Sequence, residues 1–192
     1  TRLIGILGSY YLTFLVVSFY GAASLGYLAL TQTFLMVVSI FSRLGLDTAS
    51  IKLVSENYVS RNYKTIKSTY FLIIKIVFLA SIFFSILFFI SSVHLSIYLD
   101  KPEIGSVFKL VSIFIFPYAL IYIHSESFRG LQNIVAYSIY RNPIMSFFTG
   151  SILVISYYLN FNSLFIPIFS FLISIILFSF VSSLHWNKTI NK

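Results

Sequence analysis

The chain of 192 residues has no cysteine and very little charge. Without cysteine it can form neither disulfides nor thiolate metal sites. Charged residues make up only 9% of the sequence, whereas soluble domains carry about 25%. So few charges exclude a water-soluble globule of this size, because its surface would have to face water. Hydrophobic residues make up 58%, in long stretches that recur along the whole chain. Part of this apolar surface must face lipid, so membrane lipid is the first predicted partner.

Catalytic and metal-binding patterns are also missing. The chain has only five acidic residues, and no two of them have the spacing typical of general acid–base catalysis. Zinc-binding motifs and phosphate-binding glycine loops do not occur. His94, His124 and His185 fall near predicted helix ends, where a solvated imidazole is the ordinary interpretation. We therefore expect no enzymatic activity, no cofactor and no metal site.

Six apolar stretches can each cross a hydrocarbon core about 30 Å thick, which needs roughly 20 helical residues. Backbone groups cannot remain unpaired in lipid, and these stretches do not alternate as the strands of a membrane barrel do. The sequence therefore predicts an all-α polytopic membrane protein. It forms a single bundle over residues 1–192, with spans near residues 3–20, 25–46, 69–90, 105–125, 139–159 and 164–184.

The basic residues predict the orientation of these spans. The net charge is +8, but the lysines and arginines lie in short connections and not on a water-facing patch, so no nucleic-acid partner is predicted. Alternating the six spans puts only Lys101 and Lys109 on one side. The other side receives eleven of the thirteen basic residues: Arg2, Arg43, Lys52, Arg61, Lys64, Lys67, Lys75, Arg129, Arg141, Lys188 and Lys192. By the positive-inside rule, both ends of this segment are cytoplasmic.

The connection between the second and third predicted spans differs from the others. Within residues 47–66, Ile51, Val54 and Tyr58 recur at helical spacing, opposite Lys52 and other charged residues. This pattern predicts a cytoplasmic amphipathic helix lying near the lipid headgroups.

Two cations near the inner ends of spans are candidate ligand-binding residues. Charged groups inside a membrane are costly and usually face a cavity. Lys75 lies about two turns into the third span, and Arg43 ends the second. Each has an ordinary alternative: the stem of Lys75 can extend to the interface, and Arg43 can serve only as a topological anchor.

The fourth span is the most polar. Pro117 removes a backbone hydrogen bond and should bend the helix. Tyr118 and Tyr122 follow one turn apart on one face, which suits either an aqueous groove or packing against neighbouring helices. Glu126 and Arg129 are spaced to form a local ion pair.

Two stretches resemble a known family. Residues 43–52 (RLGLDTASIK) resemble the segment after the second helix of polysaccharide flippases in the MOP exporter superfamily, the Wzx-like group. Residues 126–134 (ESFRGLQNI) are similar to the segment after their fourth helix. The resemblance implies one lobe, the N-terminal one, of a transporter with 12–14 helices. The C-terminal lobe would then be a missing partner.

The resemblance also implies a function. Such proteins move a polyprenyl-diphosphate-linked oligosaccharide across the bacterial inner membrane by alternating access, with cations in a central cavity contacting the diphosphate. Arg43 matches a position where related flippases carry a functional arginine. On chemical grounds Lys75, Arg129, Tyr118 and Tyr122 are added as substrate-binding candidates.

Two other classes remain open. The first is an ion-coupled multidrug or toxin extruder of the same superfamily, which would require a buried carboxylate; none of the five acidic residues falls at mid-membrane. The second is a membrane-embedded enzyme or an anchoring subunit, although the connections are too short to hold a catalytic domain.

Overall fold

A computed structural model describes residues 2–141 and 143–190, so Lys192 lies outside the described residues. Within those ranges the chain is all-helical, which confirms the predicted fold class. Eight α-helices follow one another, with a short 3-10 helix at Pro102–Ile104 between the third and the fourth: α1 Arg2–Arg43, α2 Leu46–Val59, α3 Tyr63–Tyr98, α4 Gly105–Ser112, α5 Ile115–Gly130, α6 Ile134–Arg141, α7 Pro143–Tyr158 and α8 Ile166–Ile190.

Helix α1 folds back on itself at Gly21. The backbone there has φ 83° and ψ 170°, a conformation that glycine adopts without the steric penalty of a side chain. In a straight helix Ser9 and Thr33 would lie about 36 Å apart, at 1.5 Å of rise per residue. Both line the same small cavity. The two halves of α1 are therefore antiparallel neighbours.

The long helices are apolar enough to cross a membrane. By length and composition α1, α3 and α8 each qualify, and α4 with α5 forms a fourth, broken segment bent by 54°. Helix α7 is shorter and also apolar. The chain is thus a multi-pass membrane protein.

The bend between α4 and α5 lies where Pro117 predicts it. Proline cannot donate a hydrogen bond to the carbonyl four residues earlier and its ring clashes with that carbonyl. The helix is interrupted at Ile113 and Phe114, one turn before Pro117. Next to the break, the carbonyl oxygen of Ser112 accepts a hydrogen bond of 2.7 Å from the hydroxyl of Ser85 on α3. A neighbouring helix thereby satisfies a backbone group beside the bend.

Helix α2 occupies the first part of the predicted amphipathic segment and packs on α5. A Cβ at Gly130 would meet the Cβ of Val54 at 2.9 Å, so the two helices touch at the glycine backbone. The chain then turns at Ser60–Asn62, where Arg61 has a positive φ of 55°. Asn62 caps α3 by accepting the backbone N–H of Thr65 at 3.2 Å.

Near the short 3-10 helix, Tyr27 of α1 contacts residues from two connections. Its hydroxyl donates to the carboxylate of Glu103, and this hydrogen bond holds the pKa of Glu103 below its ordinary value. The ammonium of Lys101 lies 5.3 Å from the centre of the Tyr27 ring. The ring of Phe165 contacts the same tyrosine at 5.4 Å between centroids.

Candidate functional site

A cavity of about 390 Å³ lies between both halves of α1 and the helices α5, α7 and α8. Its walls are aromatic, thioether and neutral polar, and among the described residues that line it none is acidic. The lining residues are Ser9, Leu12, Gln32, Thr33, Met36, Tyr118, Tyr122, Met145, Ser146, Thr149 and Phe171. Such a surface suits an uncharged or amphipathic ligand.

Two guanidinium groups contact the ring of Tyr122 at the edge of this cavity. The Cζ atom of Arg43 lies 4.3 Å from the ring centre, and that of Arg141 lies 5.2 Å from it. Both distances are within the range of cation–π attraction. The hydroxyl groups of Tyr122 and Tyr118 are 3.2 Å apart. The site thus joins the end of α1, one face of α5 and the end of α6.

Arg43 is buried, with an exposed fraction of 6%, but part of its hydrogen-bonding capacity is not used. Its Nε and Nη1 atoms have no hydrogen-bond partner in the described part of the chain. The nearest carboxylate oxygen, on Asp47 of α2, is 3.6 Å from Nη1, which is beyond normal hydrogen-bond length. A buried donor without a hydrogen-bond partner costs free energy. An anion that accepted hydrogen bonds from these atoms would therefore be stabilised here.

Glu126 neutralises part of this positive charge from α5. It is buried, with an exposed fraction of 5%, and accepts a hydrogen bond from Nη1 of Arg141 through Oε1. Its Oε2 atom lies 3.6 Å from Nη1 of Arg129. The predicted Glu126–Arg129 pair therefore exists, but Arg141 is the closer partner. Arg141 connects this carboxylate to the Tyr122 ring.

The predicted site residues fall into two groups. Tyr118 and Tyr122 line the cavity and Arg43 contacts one of them, while Arg129 joins the same cluster through Glu126. Lys75 is exposed on α3, and the described residues that line the cavity include none from α3.

Arg141 belongs to the cluster, although sequence reasoning treated it only as a topological charge. Like Arg43, it stands at the inner end of a predicted span, and this shared position was the available signal. The two arginines meet at the Tyr122 ring because of how α1, α5 and α6 are rotated about their axes. The sequence does not show these rotations.

The expectation of a solvated His124 is wrong. This histidine is fully buried, with Nε2 2.7 Å from the hydroxyl of Tyr70 and Nδ1 2.8 Å from that of Ser182. Its ring also stacks on Trp186, with 6.5 Å between the centroids. Both ring nitrogens thus form hydrogen bonds with side chains of neighbouring helices, and these bonds connect α5 with α3 and α8.

Comparison with known proteins agrees with the helical architecture. The model of the MatE family matches residues 2–135, which is more than half of the chain. No curated protein is significantly similar in sequence. A solved structure, the outward-facing conformation of a multidrug resistance MATE family transporter of the MOP superfamily, is similar with a TM-score of 0.82 and 15% identity. The likeness covers 99% of this chain and 43% of that one, so the chain spans less than half the length of that transporter. The chain belongs to the MatE family and has the fold of one lobe of such a transporter.

Proposed function

We propose that this chain is one lobe of a MOP-superfamily exporter that moves an amphipathic solute across a bacterial inner membrane. A second lobe supplies the opposite wall of the solute pathway, and the two lobes work by alternating access. The fold-back of α1 at Gly21, together with the other apolar helices, supports six membrane crossings with both ends of the segment in the cytoplasm.

An ion-coupled extruder of drug-like compounds is the first candidate for the whole transporter. The family match and the multidrug transporter of similar fold favour this function over a flippase. The cavity is consistent with it, because neutral polar and aromatic walls accept many solutes. If the transporter is such an extruder, the carboxylates that bind the coupling ion belong to the other lobe, since the described residues that line the cavity include no acidic residue.

A flippase for a polyprenyl-diphosphate-linked oligosaccharide is the second candidate. One observation favours it: two donor atoms of the buried Arg43 have no hydrogen-bond partner in the described part of the chain, and they lie beside Arg141 and the Tyr122 ring. A diphosphate presents acceptor oxygens that match guanidinium donors, whereas an organic cation would be repelled. The lipid tail could then lie along the apolar surface of the lobe.

The two candidates differ in what substitution of Arg43 does to the full-length protein. For a flippase, Arg43→Ala should abolish surface glycan assembly in cells that lack the native gene, while membrane insertion is unchanged. For an extruder of cationic compounds, the same variant should retain or increase efflux of a cationic dye, because it removes a repelling charge. Lys52→Gln is the matched control, since Lys52 is exposed on α2 and forms its ion pair with Glu56 at 4.0 Å, away from the arginine cluster.

Two further measurements complete the test. Binding of pyrophosphate to the purified protein, measured as a rise in melting temperature, should require Arg43 and Arg141 if the site accepts a diphosphate. Normal glycan and normal dye efflux in the Arg43→Ala, Arg141→Ala double variant would reject any role of the arginine pair in transport.

A further inference from the structure

Helix α3 presents a long apolar surface that the bundle leaves uncovered. Of its most apolar 18-residue window, only 22% is buried inside the lobe. The exposed side includes large side chains such as Phe71, Leu79 and Ile82. Among the described residues that line the cavity, none comes from α3, so this surface is separate from the cavity. We expect it to contact lipid in a membrane.

Polar groups interrupt this surface at regular positions. Lys64, Ser68 and Lys75 are all exposed, and Phe71 lies between the last two. Successive offsets of four, three and four residues place these four side chains on one face of the helix. A cation on a lipid-facing surface is costly unless an anion accompanies it. In the described part of the chain no side chain forms an ion pair or a ring contact with Lys75.

The positions of these side chains along the axis of α3 suit the binding of a lipid phosphate. Lys75 lies about 16 Å above Lys64 along the helix axis, at 1.5 Å per residue. Long side chains on a helix point toward its N-terminus, so the ammonium of Lys75 reaches down by about one turn, to the level of Phe71. The hydroxyl of Ser68 lies about one turn below that level, and Lys64 one turn lower. The ammonium of Lys75 and the hydroxyl of Ser68 therefore approach one region of the surface from above and below.

We propose that this face of α3, formed by Lys64, Ser68, Phe71 and Lys75, binds the headgroup of an anionic phospholipid from the cytoplasmic leaflet. The phosphate lies between Lys75 and Ser68, Lys64 adds a more distant positive charge on the cytoplasmic side of the phosphate, and the acyl chains run along the apolar part of α3 toward Ile82. Complementary charge and the apolar surface directly above it identify an anionic phospholipid as the occupant. The site is separate from the cavity and does not depend on the proposed transport function.

The test uses the purified full-length protein in nanodiscs of either phosphatidylcholine or a mixture with phosphatidylglycerol. In the wild type, phosphatidylglycerol should raise the melting temperature, and native mass spectrometry should show retained phosphatidylglycerol. Lys75→Leu should raise the melting temperature in pure phosphatidylcholine, because it removes an uncompensated cation from lipid. In nanodiscs with phosphatidylglycerol the same variant should no longer show the rise in melting temperature that this lipid gives the wild type. Its retention of phosphatidylglycerol in native mass spectrometry should be reduced about fivefold or more. Lys75→Arg should keep most of the rise in melting temperature that phosphatidylglycerol gives the wild type.

Lys52→Gln separates a local site from general attraction between a basic protein and an acidic membrane. It removes the same charge from the predicted cytoplasmic end without touching α3, and we expect less than about a twofold change in lipid retention. Equal losses in Lys52→Gln and Lys75→Leu would overturn the site. So would a wild type that responds identically to phosphatidylcholine and phosphatidylglycerol. Transport activity does not enter either readout, so failure of the proposed function leaves this test intact.

Discussion

The guanidinium of Arg43 lies 4.3 Å from the centre of the Tyr122 ring, so the last residue of α1 is held against the middle of α5. Arg141 approaches the same ring at 5.2 Å. One aromatic side chain thus brings together two cations that the chain places almost 100 residues apart. The negative face of the ring reduces the repulsion between them, while Asp47 and Glu126 supply partial neutralisation. This relationship leads to the first prediction.

Replacement of Tyr122 should separate the role of the ring from that of its hydroxyl. Tyr122→Leu removes the cation–π contacts, each worth about 1 kcal/mol, and should weaken pyrophosphate binding about fivefold or more. Tyr122→Phe keeps the ring and loses only the 3.2 Å contact with Tyr118, so its binding should change less than about twofold. Titration of the purified protein with pyrophosphate, followed by intrinsic fluorescence, measures both. Equal effects of the two variants would contradict the role of the ring.

Glu126→Gln should destabilise the lobe. The substitution leaves Arg141 and Arg129 without their shared carboxylate, but both arginines are partly exposed, and solvent screening reduces the loss. We expect about 1–2 kcal/mol, measured as a lower melting temperature of the full-length protein in detergent. In a double-mutant cycle with Arg141→Gln the two losses should be less than additive, because each variant removes the same pair. Additive losses would show that the pair contributes nothing.

His124→Ala should cost more than any surface substitution. It removes a fully buried ring and leaves the hydroxyl of Tyr70 without its partner, while the hydroxyl of Ser182 keeps its hydrogen bond to the Ser179 carbonyl oxygen. The cavity and the loss of two hydrogen bonds should lower the free energy of unfolding by about 2–4 kcal/mol. His94→Ala, at an exposed position near the end of α3, is the matched control and should stay within about 0.5 kcal/mol of the wild type. Thermal unfolding in detergent compares the two.

Gly130→Ala should loosen α2 from α5. A Cβ at this position would lie 2.9 Å from the Cβ of Val54 and 3.0 Å from the backbone oxygen of Ile51, and the backbone cannot move aside cheaply. We expect a loss of about 1–3 kcal/mol and faster proteolysis in the connection after α2. Gly26→Ala is the control, because a Cβ there meets nothing within 4 Å. Proteolysis of Gly130→Ala at the wild-type rate would show that the contact is not needed.

The membrane topology can be tested by labelling, because the chain has no cysteine of its own. Cysteine introduced at Lys64 should react only from the cytoplasmic side, and cysteine at Asp100 only from the opposite side. A membrane-impermeant maleimide added to intact cells distinguishes them. Reaction of both positions from one side would remove the basis for the six crossings and for the transport proposal.

Much of the fold could be predicted from the residues in order. The bend before Pro117 follows from the missing N–H of a proline, and the ion pair of Glu126 with Arg129 follows from helical spacing. The helical class follows from the length of the apolar runs, since each must satisfy its own backbone in lipid. The candidate site could be predicted only in part: Arg43, Tyr118 and Tyr122 were predicted and do lie at or beside the cavity, whereas the position of Arg141 beside Tyr122 and the burial of His124 were not foreseen.

Low charge and long apolar runs by themselves determined that this chain is helical and embedded in a membrane. Only the tertiary structure decided which side of each helix is enclosed. A helix that is apolar all round gives no pattern that separates its lipid face from its packed face. For that reason Lys75 on α3 and His124 on α5 look alike in sequence, as polar residues near the predicted inner end of a span. Packing against Tyr70 and Ser182 buries the histidine, whereas the lysine lies on the exposed side of α3.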